Sequence, residues 1–328
     1  MEDKTRTAIA VAGLAKRFGE VAAVAGADFE VFSGELFGFL GPNGAGKTTT
    51  INMLTGLARP DAGMVRIGGI NCTGNPRAAQ HLVGVVPDES NLYPELTGFE
   101  NLSFCAALYG LAKQEREKRA RRLLADFGLA QAADRKFAGY SKGMKRKLTI
   151  AAGIIHEPQI LFLDEPTTGI DVASARQLRQ LISDLHRTGT TIFLTTHYIE
   201  EAERLCDRIA FIVEGRIVAI ETVTDLLQPL REKHVLQMSC VNSPENLQPA
   251  LNEGFPGFDI SVTMRGQIRV ESDRPIGVGP LVRFLEEHGV EVAEARRLRP
   301  SLEDVFMRIT GLETTIMQKE KEKRGPKK

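Results

Sequence analysis

Between the apolar run "ELFGFL" and the helix-forming run "TTINMLTGL" the chain carries "GPNGAGKT", residues 41–48. It spells G-x-x-x-x-G-K-[ST], and between a strand and a helix it constrains the fold more than any other stretch. Its glycines let successive backbone N–H groups converge on an anion without Cβ interference. A helix starting near Lys47 adds the positive end of its dipole. Lys47 is expected to reach the β- and γ-phosphates of a nucleotide, and the Thr48 hydroxyl to ligate Mg²⁺. The loop by itself leaves kinases, GTPases, helicases and transporter ATPases open.

Two further apolar runs end in chemistry. "PQILFLDEP" ends in Asp164 and Glu165, and "TTIFLTTH" ends in His197. Continuous rather than alternating apolar runs predict a parallel sheet covered on both faces. Such a sheet brings the acid pair to the edge that carries the phosphate loop. A strand-end Asp can hold Mg²⁺, and the neighbouring Glu can orient or deprotonate an attacking water. "AIAVAGLAKRFGEVAAVAGADFEVFSG" alternates more, as an antiparallel edge sheet would. Residues from about 91 to 155 read as an inserted helical subdomain, and residues 1–225 as one nucleotide-binding domain.

The pattern changes near residue 226. A strand, a helix with a Ser cap and a Gly stop, a hairpin about Gly266, a second helix and a last strand give β-α-β-β-α-β. Residues 226–312 are therefore expected to form a small ferredoxin-like α+β domain. "SLEDVFMRITG" reads as a capped helix near its end. Residues 313–328 read as a charged, disordered tail.

"YSKGMKRK", residues 140–147, packs Lys142, Lys145, Arg146 and Lys147 together. Such a cluster suits nucleic acid, an anionic membrane, a bound phosphate or a plain solvated helix face. Lys and Arg total 42 and so do Asp and Glu, so no global positive field exists for a polyanion. Four scattered cysteines without a CxxC pair read as reduced cytosolic thiols. The stretch "MEDKTRTAIA" lacks the apolar core of a signal peptide, and no run of about 18 apolar residues exists to span a membrane.

With these motifs assembled, residues 7–225 resemble the nucleotide-binding subunits of ABC transporters. The family's elements occur in order: an aromatic loop, "GPNGAGKT", "GVVPDES", "YSKGM", "ILFLDEP" with "TTGID", and "LTTH". "LTGFENL" and "PSLEDVFMRITG" make the chain look most like the cytosolic ATPases of type-two exporters. These move drugs, antibiotics, polysaccharides or lipids through separately encoded permeases.

The resemblance implies a P-loop NTPase fold with a mainly parallel core sheet, an antiparallel edge sheet and a helical subdomain. It implies hydrolysis of ATP with Mg²⁺, a dimer with a second copy or a homologous subunit, and a permease partner. It places the chain in the cytoplasm, on the inner face of the cell membrane, with no nucleic acid bound. Gly41, Pro42, Asn43, Gly44, Ala45, Gly46, Lys47, Thr48 and Thr49 would hold ATP, and Phe18 would stack on adenine. Glu165 and His197 would be catalytic, and Thr48 and Asp164 would face Mg²⁺. Asp171 would sit in the loop that passes information between two active sites. "YSKGM" matches the signature "LSGGQ", so Ser141, Lys142 and Gly143 would grip the γ-phosphate of ATP held by the other subunit.

The chain departs from the family at three positions. Asp88 stands where Gln is usual and remains a candidate Mg²⁺ ligand, its charge offset by the metal. Lys142 and Met144 replace a Gly and a Gln of the signature. Lys145, Arg146 and Lys147 are read as a charged helix face. A soluble family member acting on ribosomes or DNA is disfavoured by the single ATPase unit and neutral charge. A regulatory module with a dead site is disfavoured by Lys47, Asp164, Glu165 and His197 together.

Overall fold

The computed structural model describes residues 6–231, 234–242, 244–263, 266–298 and 301–311. They divide into two compact units, one running to Val223 and resumed at Ile309, the other Thr224–Arg308. The expected tail at 313–328 and the expected Ser243 cap lie outside the described residues.

The first unit begins with β1 (Thr7–Phe18), β2 (Val21–Phe32) and β3 (Leu36–Leu40), followed by α1 (Lys47–Leu54). Next come β4 (Ala62–Ile67), β5 (Ile70–Asn71) and β6 (Val83–Val86). The helices α2 (Gly98–Leu108), α3 (Lys113–Asp126) and α4 (Lys142–Ile154) fill the stretch read as a helical insertion. Then β7 (Ile160–Asp164), α5 (Val172–Arg187), β8 (Thr191–Thr196) and α6 (Ile199–Leu205) alternate. The antiparallel hairpin β9 (Arg208–Val213) and β10 (Arg216–Thr222) completes the sheet.

Two sheets result. One is antiparallel with order β2-β1-β4-β5; the other has order β10-β9-β3-β8-β7-β6. In the second, β6, β7, β8, β3 and β9 are parallel. The sequence led to this arrangement: β3, β7 and β8 are buried at every residue, the mark of a strand covered on both faces. Phe29 on β2 meets Phe37, Phe39 and Phe193 of the parallel sheet at ring-centroid distances of 5.7–5.9 Å. Such pairs contribute about 0.5–1.5 kcal/mol each beyond area burial. Residues Ile51, Met53 and Leu54 of α1 join the same core, which fixes the helix behind the phosphate loop.

The second unit contains α7 (Val223–Arg231), β11 (His234–Cys240), α8 (Gln248–Gly254) and β12 (Asp259–Thr263). β13 (Gln267–Ser272), α9 (Val278–Glu287), β14 (Val292–Leu298) and α10 (Leu302–Thr310) come after them. Its sheet is antiparallel with order β12-β13-β11-β14, the ferredoxin-like arrangement. Gly266 takes φ 70° in the β12–β13 connection, a conformation that favours glycine. Leu236, Met238, Ile268 and Val270 face α8 and α9 through Leu251, Leu281 and Leu285. The helix before β12 differs from the expected single element. A 3₁₀ turn, Glu245–Leu247, precedes α8, which has Pro249 in its first turn, where a missing N–H costs nothing.

Candidate functional site

Because β6, β7, β8 and β3 of the second sheet run parallel, their C-terminal ends share one edge. β3 delivers the phosphate loop there, β7 delivers Asp164 and Glu165, β8 delivers His197, and β6 delivers Asp88. Gly46 sits at the N-cap of α1 with φ 103°, and a Cβ there would meet the Ala23 carbonyl oxygen at 2.2 Å. A Cβ on Gly41 would meet the Ile212 carbonyl oxygen at 2.1 Å. Both glycines are thus forced by backbone approach. The loop wraps a cavity lined by Asn43, Gly44, Gly46 and Lys47 together with Thr48 and Thr49. Asp88, Glu165 and Ala23 complete its wall, so the structure brings Asp88 to the phosphate loop.

The buried Lys47 ammonium donates to the carbonyls of Gly41 at 2.7 Å and Pro42 at 3.0 Å. It lies 3.2 Å from Glu165 Oε1. The other carboxylate oxygen of Glu165 meets His197 Nδ1 at 2.6 Å and accepts from the Thr168 hydroxyl at 2.9 Å. Burial alone would raise the Glu165 pKa. The His197 hydrogen bond and the charges of Lys47 and His197 outweigh it and hold the group down at about 2. Glu165 is therefore a carboxylate at neutral pH. Its backbone has φ 49°, a strained setting for a residue with a side chain. Thr195 of β8 supports that turn: its carbonyl and hydroxyl both accept from the Glu165 amide at 3.1 Å, and its hydroxyl donates to Asp164.

Ser141 caps α4 as expected, accepting from the Met144 amide at 3.3 Å. Lys142 is exposed beside it. Gly143 is buried, and a Cβ there would strike the Ser174 hydroxyl of α5 at 2.5 Å. Glycine at this position thus permits α4 to pack on α5. Asp171 caps α5, accepting from the Ser174 amide at 2.9 Å; this bond lowers its carboxyl pKa. Phe18, at the end of β1, is 56% exposed with Lys16 Nζ 5.5 Å from its ring centre, so it fills no core.

One reading is overturned. Arg146 is not part of a solvated helix face but is buried. Its Nε donates to the Pro166 carbonyl at 2.8 Å, its Nη1 to the backbone carbonyls of Asp88 at 3.0 Å and of Pro87, and its Nη2 to the backbone carbonyl of Asp164. Arg146 lies three residues after Gly143 and four before Ile150, both buried, so it shares the packed face of α4. Lys147, by contrast, donates to Gln177 at 2.8 Å on the exterior. Glu201 on α6 was also unmarked in sequence. Neither of its buried carboxyl oxygens has a well-formed hydrogen bond, and burial raises its pKa, offset only in part by Thr196 and Thr167.

The donors fit Mg²⁺ in a particular way. No group of three His, Cys, Asp or Glu side chains that could hold a metal occurs among the described residues. A hydroxyl and one or two carboxylates beside a phosphate cradle suit a hard cation that takes its remaining ligands from phosphates and water. Thr48, Asp164 and Asp88 are the oxygens available.

The family described as "ABC transporter" matches residues 24–168. The chain is 37% identical over 299 residues to the linearmycin resistance ATP-binding protein LnrL of Bacillus subtilis (strain 168), covering 90% of this chain and 96% of that protein. It is 36% identical over 318 residues to the daunorubicin/doxorubicin resistance ATP-binding protein DrrA of Streptomyces peucetius, covering 95% and 94%. Among solved structures it is similar to a dimeric ATP-binding cassette in a post-hydrolysis state bound to ADP and Pi. There the TM-score is 0.61 and the identity 27%, over 66% of this chain and 98% of that one.

Proposed function

The chain belongs to the ABC transporter family and is an ATP-binding, ATP-hydrolysing exporter subunit, and from that premise we propose that two copies close on two ATP molecules to drive a separate membrane permease. The observation that carries the catalytic reading is the Glu165 carboxylate, held between Lys47 at 3.2 Å and His197 at 2.6 Å beside the phosphate loop.

The phosphate loop supplies amide donors and the α1 dipole, and Lys47 supplies charge. ATP draws Lys47 from Glu165 toward the β- and γ-phosphates. With that cation gone, the carboxylate becomes more basic, the direction a general base needs. Glu165 then orients the attacking water and takes its proton, while His197 holds the carboxylate and faces the γ-phosphate. Mg²⁺, held by Thr48, Asp164 and Asp88, would neutralise phosphate charge. Phe18 stacks on adenine, and Thr49 lies along the phosphates.

Ser141, Lys142 and Gly143 of one copy meet the γ-phosphate held by the other, with Asp171 at the interface between sites. The capped N-terminus of α4 supports this, as a site where anions are favoured. A two-fold arrangement completes both sites at once. Hydrolysis removes the shared anion, and the difference in ATP affinity between open and closed dimers becomes available to the permease.

A permease contact is supported by exposed apolar side chains on and near α2. Tyr93 and Phe104 pack edge to face at 5.3 Å, and Leu108 is 72% exposed. No helix among the described residues is long and apolar enough to cross a membrane. In this reading the permease holds the chain at the inner face of the cell membrane. The second unit serves as an accessory domain that regulates or stabilises the dimer, or contacts the permease.

Glu165→Gln keeps the shape of the site and removes the base. Saturating ATP is expected to trap this variant as a dimer on size-exclusion chromatography. A variant that stays monomeric with ATP bound ends the sandwich reading.

A further inference from the structure

Arg146 is the one buried cation of the basic cluster 140–147, and the mechanism above does not use it. Its acceptors are four backbone carbonyls from two places: Pro87 and Asp88 after β6, and Asp164 and Pro166 at and after β7. β6 and β7 are neighbours whose last paired residues are Val86 and Leu163. Beyond that pair the β6–β7 ladder stops. The planar guanidinium bridges the two segments there, donating to all four carbonyls with Nε and both Nη groups engaged at once. Burial lowers its pKa, and the nearby carboxylates of Asp88, Asp164, Glu201 and Glu165 act against that and favour its charge.

We propose that Arg146 is a positioning residue that locks the first turns of α4 to the two strand ends carrying Asp88 and Asp164–Glu165. It thereby couples the chain's own ATP site to the anion-binding end it offers its partner. The coupling rests on the proposed dimer for its purpose, but the lock itself is a property of one chain. Since all its acceptors are peptide carbonyls, no acceptor protonates and releases it. A lysine keeps the charge yet offers a single nitrogen, which cannot serve acceptors on both strands in the guanidinium's plane.

The test uses the full chain as wild type, Arg146→Lys and Arg146→Gln, each diluted until monomeric. Thermal melting checks folding, and amide hydrogen exchange is read with and without ADP. In the wild type, ADP is expected to slow exchange at residues 44–50 and, through Arg146, about threefold at residues 141–148. Both variants should keep the first effect and lose the second; assayed separately at concentrations where the wild type dimerises with ATP, they should show kcat down about 10- to 100-fold and KM for ATP within about threefold. An Arg146→Lys protein with wild-type kcat and an intact response at 141–148 overturns the proposal. So does failure of both variants to melt cooperatively, which would make Arg146 a plain core residue. ADP having no effect at residues 44–50 of the wild type would instead indict the nucleotide site itself.

Discussion

In the first unit, β6, β7, β8 and β3 run the same way, so Asp88, Glu165, His197 and Gly41 all leave at one edge. In the second unit every neighbouring pair of strands is antiparallel, so strands side by side in the sheet end at opposite edges. The parallel sheet is covered on both faces and its chemistry can gather only at strand ends. The antiparallel sheet buries Leu236 and Met238 on one face and places Gln237 and Ser239 on the other. Polar groups spread over an open face are not brought to a point. Strand direction, more than composition, separates the unit that carries the nucleotide loop from the second unit.

The largest effect that would sharpen this contrast is expected from Lys47→Ala. It removes the charge the loop directs at phosphate and strips Glu165 of its cation, and ATPase kcat/KM should fall by at least about 10²–10³-fold. A steady-state assay retaining more than a tenth of the activity would break the comparison at its strongest point.

Leu236→Ala probes the other side. It opens a cavity in the second core and should destabilise that unit by about 2–4 kcal/mol in a denaturant melt. ATP turnover by the isolated chain should stay within about twofold, because no strand end of that unit feeds the site. Turnover that collapses along with the second core would show that the units share more than a chain.

Acid titration distinguishes them again. The Glu165 pKa is lowered from 4.5 to about 2, so its contribution is complete above pH 4.5 and is lost as pH falls toward 2. The loss should reach on the order of 3 kcal/mol in the first unit. Glu165→Gln should flatten that part of the stability curve, as followed by denaturant melts across the same pH window.

The smallest effect is expected from Phe18→Ala. Losing one ring face against a base costs about 1 kcal/mol, a KM for ATP raised about fivefold to tenfold. With the ring 56% exposed, the melting temperature should hardly move.

Much of the site was legible because it is built from short-range necessities. Gly41 and Gly46 are required where backbones approach to within a Cβ, Lys47 opens a helix, and apolar strands end in Asp164, Glu165 and His197. Those constraints act within a few residues and so leave a spelling. The ferredoxin-like order of the second unit was legible for the same reason, from alternating strands and a glycine hairpin. The roles of Thr195 and Arg146 were not. Thr195 looks like one more buried strand residue until β8 lies beside β7 and its hydroxyl reaches Asp164. Gly143 was read as a phosphate contact, and only the packing of α5 shows that Ser174 already demands its missing side chain.

The sequence by itself determined the nucleotide loop, the acid pair, the strand-end His197 and the continuous apolar runs that make a parallel sheet, because each is a local pattern with one stable geometry. Tertiary structure alone decided which way Arg146 would face. Its neighbours Lys145 and Lys147 share its charge and its helix. Arg146 differs by its place on the helix, where it meets backbone carbonyls just beyond the end of the β6–β7 ladder. A cation is buried there because those distant carbonyls need its hydrogen bonds, and no residue beside it in the chain states that need.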